Sequence, residues 1–281
     1  MGLLASGRFF NDPGRKMRPS ELAWPLRIEM RGVRALVGLV GFALALGAGI
    51  AGHADDHSVR LACNNFPPHK IEQPADDGNA GFDIDIVSEA LKRIGWSSRT
   101  SFMPWKRALE LAERGEYDGL CSCSYTKERE AKLLFSDELG AVSVGLFARS
   151  EDALAGVGSV ADLKGRKVAT VAGYNLEAEL IAAGAAVEAT ASDKNALDML
   201  VGGNVDLLYG YELTTKHFIA SDPRSSSIAY REVRRNPYYF CLSRAMPGAD
   251  AAMQGFNRSL KDMAADGSVQ RILDRYHVTF R

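Results

Sequence analysis

The stretch SCSYTKERE, residues 122–130, sets a fixed cation where a helix start disfavours one. Thr126 has the short hydroxyl side chain of an N-cap, and Lys127, Glu128 and Arg129 fill the first turn. A capping box would put Glu or Gln where Arg129 stands. A guanidinium there faces the positive end of the helix dipole, at a cost of about 0.3 kcal/mol or more, so Arg129 needs a reason beyond the helix. Four cysteines offer thiol or disulfide chemistry: Cys63, Cys121, Cys123 and Cys241. Cys121 and Cys123 are two apart and share one face of a strand. They read as buried small side chains, or as partners for Cys63, which can bridge to Cys121 or to Cys123 if the first and third strands are neighbours. His53, His57, His69, His217 and His277 have no metal-ligand spacing. GVGSVA (156–161) imitates a dinucleotide fingerprint, but the polar RSEDALA (149–155) parts it from the nearest strand, so it reads as a loop.

The elements that must position these groups begin after residue 54. Before it, Arg31 and Arg34 precede the uncharged ALVGLVGFALALGAGI (35–50), followed by AGHADD. Basic, apolar and small-residue regions in that order read as a secretory signal peptide, residues 1–54, cut after Ala54, with Met30 as the alternative start to Met1 because the preceding 29 residues are long for the basic region. The apolar run is short of the roughly 20 residues a spanning helix needs. The full chain carries a net charge of −1, and the leader is its basic part. Nucleic-acid binding, which wants a basic face, is not indicated.

Beyond the leader, short apolar strands alternate with amphipathic helices. Strands are expected at 59–64, 99–102, 117–123, 167–171 and 205–210, and helices at 81–95, 105–115, 176–184 and 195–203. The alternation implies α/β architecture with parallel strands and right-handed crossovers. ALELAERGEYDGL (108–120) and ALDMLVGGNVDLL (196–208) match without gaps in Ala, Leu, Gly, Asp and Leu. A helix, turn and strand repeated in this way argue for two lobes of similar topology. Ligands of such sheets sit outside the carboxyl ends of the strands, which points to Ser122–Cys123–Ser124 and Gly210–Tyr211–Glu212.

FPPH (66–69), GFDIDI (81–86), YTKERE…FSD (125–137), VADLKGRKVA (160–169) and LKDMAADGSVQRIL (260–273), taken in this order, resemble the periplasmic solute-binding proteins of polar amino-acid ABC transporters, solute-binding protein family 3, in a divergent form. The resemblance implies a two-lobe periplasmic-binding-protein fold of type II. Each lobe is a mostly parallel sheet flanked by helices, and the ligand cleft lies between the lobes. It places lobe 1 at 55–142 and 237–281 and lobe 2 at 143–236, with crossovers near 141–144 and 235–238. It further implies a monomer without cofactor or bound metal, which captures a small carboxylate-bearing solute for an ABC permease in the inner membrane.

The same resemblance gives Arg129 its reason, since the family's Arg in this motif binds the ligand carboxylate, for which a guanidinium is a planar fork. Ser124 falls where the family has a hydroxyl ligand, and Ser122 where it often has Gly. Trp105 matches the aromatic that stacks on the solute, Phe66 the opposite wall, and Asn64 a polar contact. Tyr174 and Asn175 stand where small residues are usual. Tyr211 replaces the Asp that pairs with the ligand's ammonium, with Glu212 pointing elsewhere if the strand continues. Asp83 and Asp85 are expected to cap a helix. Two alternatives share this fold: a periplasmic dehydratase-like enzyme, with Glu212, Lys106 or Tyr211 as acid–base group, and a ligand-sensing module for a membrane receptor.

The leader makes the first prediction. Exported protein should have an intact mass corresponding to a chain that starts at Asp55. A mature chain that keeps residues 35–50 would instead be a membrane-anchored one.

Overall fold

The computed structural model describes residues 57–75 and 78–278. The leader at 1–54 lies outside them. The elements run β1 His57–Cys63, α1 Phe82–Arg93, β2 Trp96–Phe102, α2 Trp105–Glu113, β3 Gly119–Ser124 and α3 Lys127–Glu130. They continue with β4 Leu133–Ala148, β5 Lys167–Val171, α4 Asn175–Ala182, β6 Ala186–Thr190, α5 Asp193–Val201, β7 Leu207–Tyr211 and α6 Glu212–Ser221. The last are β8 Ala229–Ser243, α7 Ala249–Ala265 and α8 Ser268–Arg275. β5, KVATV, and β7, LLYGY, are buried on both faces and read as unbroken apolar runs.

The strands form one sheet in the order β2-β1-β3-β8-β4-β7-β5-β6. β1 lies parallel to β2 and β3, and β5 parallel to β6 and β7. Each parallel set is flanked by the long antiparallel pair β4 and β8, so the sheet is two β/α lobes bound through that pair. Between the end of β3 pairing at Ser124↔Tyr238 and the start of β7 pairing at Val144↔Tyr211, β4 and β8 hold only each other, through Ala141↔Pro237, Val142↔Asn236 and Ser143↔Arg235. The C-terminal helices α7 and α8 both pack on α1, beside the first strands.

The internal repeat has a structural counterpart in each lobe. Asp118 and Asp206, matched in the two segments, take the same part. The Asp118 carboxylate accepts from the Arg60 N–H at 2.7 Å, and the Asp118 N–H donates to the Arg60 carbonyl at 2.9 Å. Asp206 repeats this on Lys167, at 3.1 and 2.8 Å. Each carboxylate thus ties the loop before one strand to the start of the lobe's central strand. The matched Ala108 and Ala196, and Leu120 and Leu208, are all buried.

The cysteines require a correction. Cys63 is bonded to Cys121, with Cα atoms 5.4 Å apart, and Cys123 to Cys241, 6.3 Å apart. The parallel register Leu61↔Gly119 and Ala62↔Leu120 brings Cys121 beside Cys63, which rules out the Cys63–Cys123 alternative. Strand β8 lies on the other side of β3 and carries Cys241 to Cys123. The thiols expected as buried small side chains are therefore two crosslinks. The Cys123–Cys241 bond closes a loop with a sequence separation of 118. Replacing both of these cysteines by Ala should lower the unfolding free energy in urea by about 2–5 kcal/mol. An unchanged midpoint would mean that the bond does not form in the folded protein.

Candidate functional site

The site begins with a tight turn. Phe66 and Lys70 exchange backbone hydrogen bonds, Phe66 N–H to the Lys70 carbonyl at 2.8 Å and Lys70 N–H to the Phe66 carbonyl at 2.9 Å. The turn is pressed onto the start of α1, whose Asp83 N–H donates to the His69 carbonyl at 3.0 Å. Gly81 allows this: its φ is +106°, and a Cβ there would lie 2.4 Å from the His69 carbonyl oxygen. The turn thereby carries His69 and Lys70 inward, to the end of β1.

A second close approach lies across the cleft. Gly173, at φ +79°, follows β5, and a Cβ there would meet the Lys106 backbone at 3.3 Å and the Trp105 ring at 3.4 Å. Its carbonyl accepts from Trp105 Nε1 and from Arg129 Nη2, both at 2.8 Å. A cavity lies between these two approaches, at the ends of the strands. All nine residues singled out in the sequence line it: Asn64, Phe66, Trp105, Ser122, Ser124, Arg129, Tyr174, Asn175 and Tyr211. Sequence reasoning missed His69, Lys70, Asp83, Val142 and Tyr238 as parts of the wall, which Cys123 also lines.

Arg129 is 5% exposed. Thr126 caps α3 as expected, accepting from the Arg129 N–H at 3.3 Å, but the helix is a single turn of four residues, too short for its dipole to carry much. Burial governs the guanidinium, pulling its pKa below the ordinary value, although Arg remains charged. It donates to the Ser124 and Gly173 carbonyls, each at 2.8 Å, and lies 5.3 Å from the centre of the Trp105 ring. No carboxylate stands at ion-pair distance from it among the described residues.

Four side chains close a ring of hydrogen bonds at the facing strand ends. Asn236 Nδ2 donates to Ser124 Oγ at 2.8 Å, and Ser124 Oγ lies 3.1 Å from the Tyr211 hydroxyl. Tyr211 donates to Asn175 Oδ1 at 2.7 Å, and Asn175 Nδ2 returns to Asn236 Oδ1 at 3.2 Å. With Tyr211 giving its proton to Asn175, the Ser124 hydroxyl is the donor to Tyr211, and the cycle is complete. It joins β3, β7, α4 and the β8 segment that connects the lobes. Burial pushes the Tyr211 phenol up to about 12, so it stays neutral. β7 ends at Tyr211. Glu212 does not continue the strand; it opens α6 and pairs with Lys216 at 2.6 Å.

Asp83 and Asp85 do not cap α1, which begins at Gly81 without a side-chain cap. Asp85 instead accepts from the Tyr276 hydroxyl and from Arg275. Asp83 is fully buried, accepting from Ser122 Oγ at 2.7 Å and lying 3.3 Å from His69 Nδ1. Lys70, 4% exposed, donates to that same Ser122 oxygen at 3.1 Å. Burial draws the Lys70 ammonium down to about 8, against the opposing pull of Asp83 and Asp193. Three buried atoms of the wall, Asn64 Oδ1, His69 Nε2 and the Tyr238 hydroxyl oxygen, have no hydrogen-bond partner among the described residues.

A two-lobed α/β fold with a cavity at the facing strand ends defines a type II periplasmic-binding-protein architecture. The chain belongs to the bacterial extracellular solute-binding proteins, family 3, which it matches over residues 59–279. It is 23% identical over 212 residues to the L-cystine-binding protein TcyA of Bacillus subtilis (strain 168), covering 75% of this chain and 77% of that protein. Its fold is similar to a histidine kinase sensor domain resembling periplasmic binding proteins, at TM-score 0.70 and 18% identity, over 79% of this chain and 96% of that one. It is also similar to the ancestral amino acid-binding protein AncCDT-1, a precursor of cyclohexadienyl dehydratase, at TM-score 0.64 and 20% identity, over 80% and 95%. Among the described residues no helix is long and apolar enough to cross a membrane.

Behind the wall, the Tyr174 hydroxyl accepts from Asn64 Nδ2 at 3.0 Å and donates to buried Asp193 at 2.9 Å. Burial lifts the Asp193 carboxyl from 3.8 to about 6, with the Tyr174 hydrogen bond and Lys70 opposing. A carboxyl whose folded pKa is raised weakens the fold as it ionises. The penalty is absent below 3.8, grows as pH rises and is complete above about 6. Asp193→Asn should therefore stabilise the protein at neutral pH by up to about 3 kcal/mol and not at pH 3. Stability curves of variant and wild type that run parallel with pH would remove the burial argument.

Proposed function

We propose that this chain is an exported binding protein that captures a small carboxylate without a free α-ammonium and delivers it to an ABC permease. The observation that carries this is Arg129, a guanidinium out of water in the cleft with no carboxylate at ion-pair distance among the described residues. A solute carboxylate supplies the countercharge through a bidentate contact, while the Trp105 and Phe66 faces hold a flat or apolar body. The reading divides the chain into lobe 1 at 55–142 and 237–281 and lobe 2 at 143–236, a division supported by the stretch in which β4 and β8 hold only each other, where the lobes would swing.

The absence of an ammonium partner rests on charge. The charged groups lining the cavity are Arg129, Lys70 and Asp83, two cations against one anion. Asp83 is already engaged by Ser122 and His69, and Tyr211 is a neutral phenol whose proton is given to Asn175. An ammonium would enter a positive cavity without a carboxylate to itself, and an unpaired buried charge is costly. A monoanionic solute balances the lining. Binding is capture without bond-making, so the solute is recovered unchanged.

Arg129→Ala should weaken binding of the preferred carboxylate by about 2–5 kcal/mol in calorimetry. In a thermal-shift screen the wild type should be stabilised by deaminated keto and hydroxy analogues more than by the amino acids themselves. Tyr211→Asp should gain affinity for ordinary amino acids. Stabilisation by an amino acid with none from its deaminated analogue would return the protein to the ordinary amino-acid binders, and unchanged affinity in Arg129→Ala would make Arg129 structural.

A further inference from the structure

The buried lysine of the cleft enters the reading above only as a charge, since the solute carboxylate there is held by Arg129. Lys70 reaches the cavity because the 66–70 turn is locked onto α1 through Gly81, a geometry that fixes its direction. Its ammonium lies 5.0 Å from the Phe66 ring centre and 5.7 Å from the Trp105 ring centre. Arg129 is 5.3 Å from that same Trp105 ring. The two cations therefore flank one indole, on the surface where a flat solute would stack. Ser122 takes one of the three ammonium protons at 3.1 Å. Lys70 and Asp83 are joined through that hydroxyl and do not meet at ion-pair distance among the described residues, while Asp83 and Asp193 act on the ammonium at longer range.

We infer that Lys70 is a second specificity-determining residue: it donates to a second oxygen acceptor on a solute whose carboxylate is held by Arg129, and its charge repels an ammonium in that place. The inference rests on the carboxylate reading and deepens it. The solute class becomes organic acids with a second oxygen function, whether keto, hydroxyl or carboxylate. Cation–π contact with Phe66 and Trp105 keeps the ammonium in place before the solute arrives, so the donor is preorganised.

The charged and titratable groups around Lys70 are Asp83 of α1, Asp193 of α5, Arg129 of α3, His69 of its own turn, and Tyr174, Tyr211 and Tyr238. Asp193 is ionised above about 6 and burial holds the Tyr211 phenol near 12. Lys70 is charged below about 8 and loses its proton above it. Its preference for acceptor-bearing acids should accordingly be full near neutral pH and fade as pH rises past about 8.

A matched five-carbon series tests this by calorimetry on the full mature protein: valerate, α-ketovalerate, α-hydroxyvalerate, glutarate and norvaline. Wild type should bind at least one of the three acids with a second oxygen about tenfold or more tightly than valerate, the usual scale for a hydrogen bond to a charged group. Whether the keto, hydroxy or dicarboxylic acid leads identifies the second group. Lys70→Met, of similar length and without charge, should reduce that ratio to within about threefold, weaken valerate less than it weakens the acid with the second oxygen, and narrow the gap between valerate and norvaline. Should Lys70→Met fail to fold, the wild-type ratio measured between about pH 7 and 9 gives the same answer, falling as Lys70 deprotonates. A ratio untouched by Lys70→Met or by pH, with Arg129→Ala still abolishing binding, overturns the role of Lys70 alone. Valerate binding that survives Arg129→Ala, or no acid of the series binding to wild type, overturns the carboxylate reading and this inference with it.

Discussion

A guanidinium taken out of water without a carboxylate beside it is worth several kcal/mol of lost hydration, and the cleft is organised around bearing that load at Arg129. Its two terminal nitrogens find carbonyls rather than carboxylates, one from Ser124 in its own lobe and one from Gly173 in the other. Carbonyl dipoles orient the fork without cancelling its charge. The Trp105 ring serves the same end, since its face lies against the cation while its N–H donates to the same Gly173 oxygen. One backbone carbonyl in lobe 2 thus receives both the cation and the aromatic of lobe 1. That is possible because residue 173 is a glycine, where both a positive φ and the closeness of Lys106 exclude a side chain.

The hydrogen-bonded ring of Asn236, Ser124, Tyr211 and Asn175 supplies what the guanidinium does not, a neutral link between the lobes. Each hydroxyl in it has one proton and gives it away, so the direction of donation is fixed around the cycle. A cycle of this kind gains from mutual polarisation and is lost as a unit when one member moves. Asn236 belongs to the stretch where β4 and β8 hold only each other. The lobe connection is therefore part of the ring, and a displacement of the strands there is felt at Ser124 and Asn175 together.

Much of this was legible in the sequence for a local reason. β5, β7 and the helices α1, α2, α4 and α5 carry apolar runs or helical stripes, and the expected boundaries fall within two residues of the observed ones except where β2 begins three earlier, at Trp96. The repeat could be read because Asp118 and Asp206 do the same work at the same point of each lobe. β4 and β8 could not be delineated. Each is interrupted by charges such as Asp137, Glu138, Arg231 and Glu232, with register shifts along their pairing. An alternating pattern is lost at every such shift. α6 begins directly at Glu212, with nothing but Tyr211 to end the strand, and its polar surface leaves no apolar stripe to mark it.

Lys70 was invisible for a different reason. A lysine after a proline-rich turn reads as solvated, and no local pattern says otherwise. Its burial is decided by Gly81, eleven positions later, whose missing side chain lets the turn settle on α1, and by Asp83 and Ser122, which come from two other elements. The same long-range packing turns Asp83 from an apparent helix cap into the countercharge of a buried lysine. Taken together the two changes alter what the cavity can accept. A lining with only Arg129 would suit any carboxylate, and an available Asp83 would welcome an ammonium beside it. With Asp83 bound to Ser122 and His69 and with Lys70 set between it and the aromatic walls, the acid is withdrawn behind a cation, and the surface presented to a solute is positive at both ends of the indole.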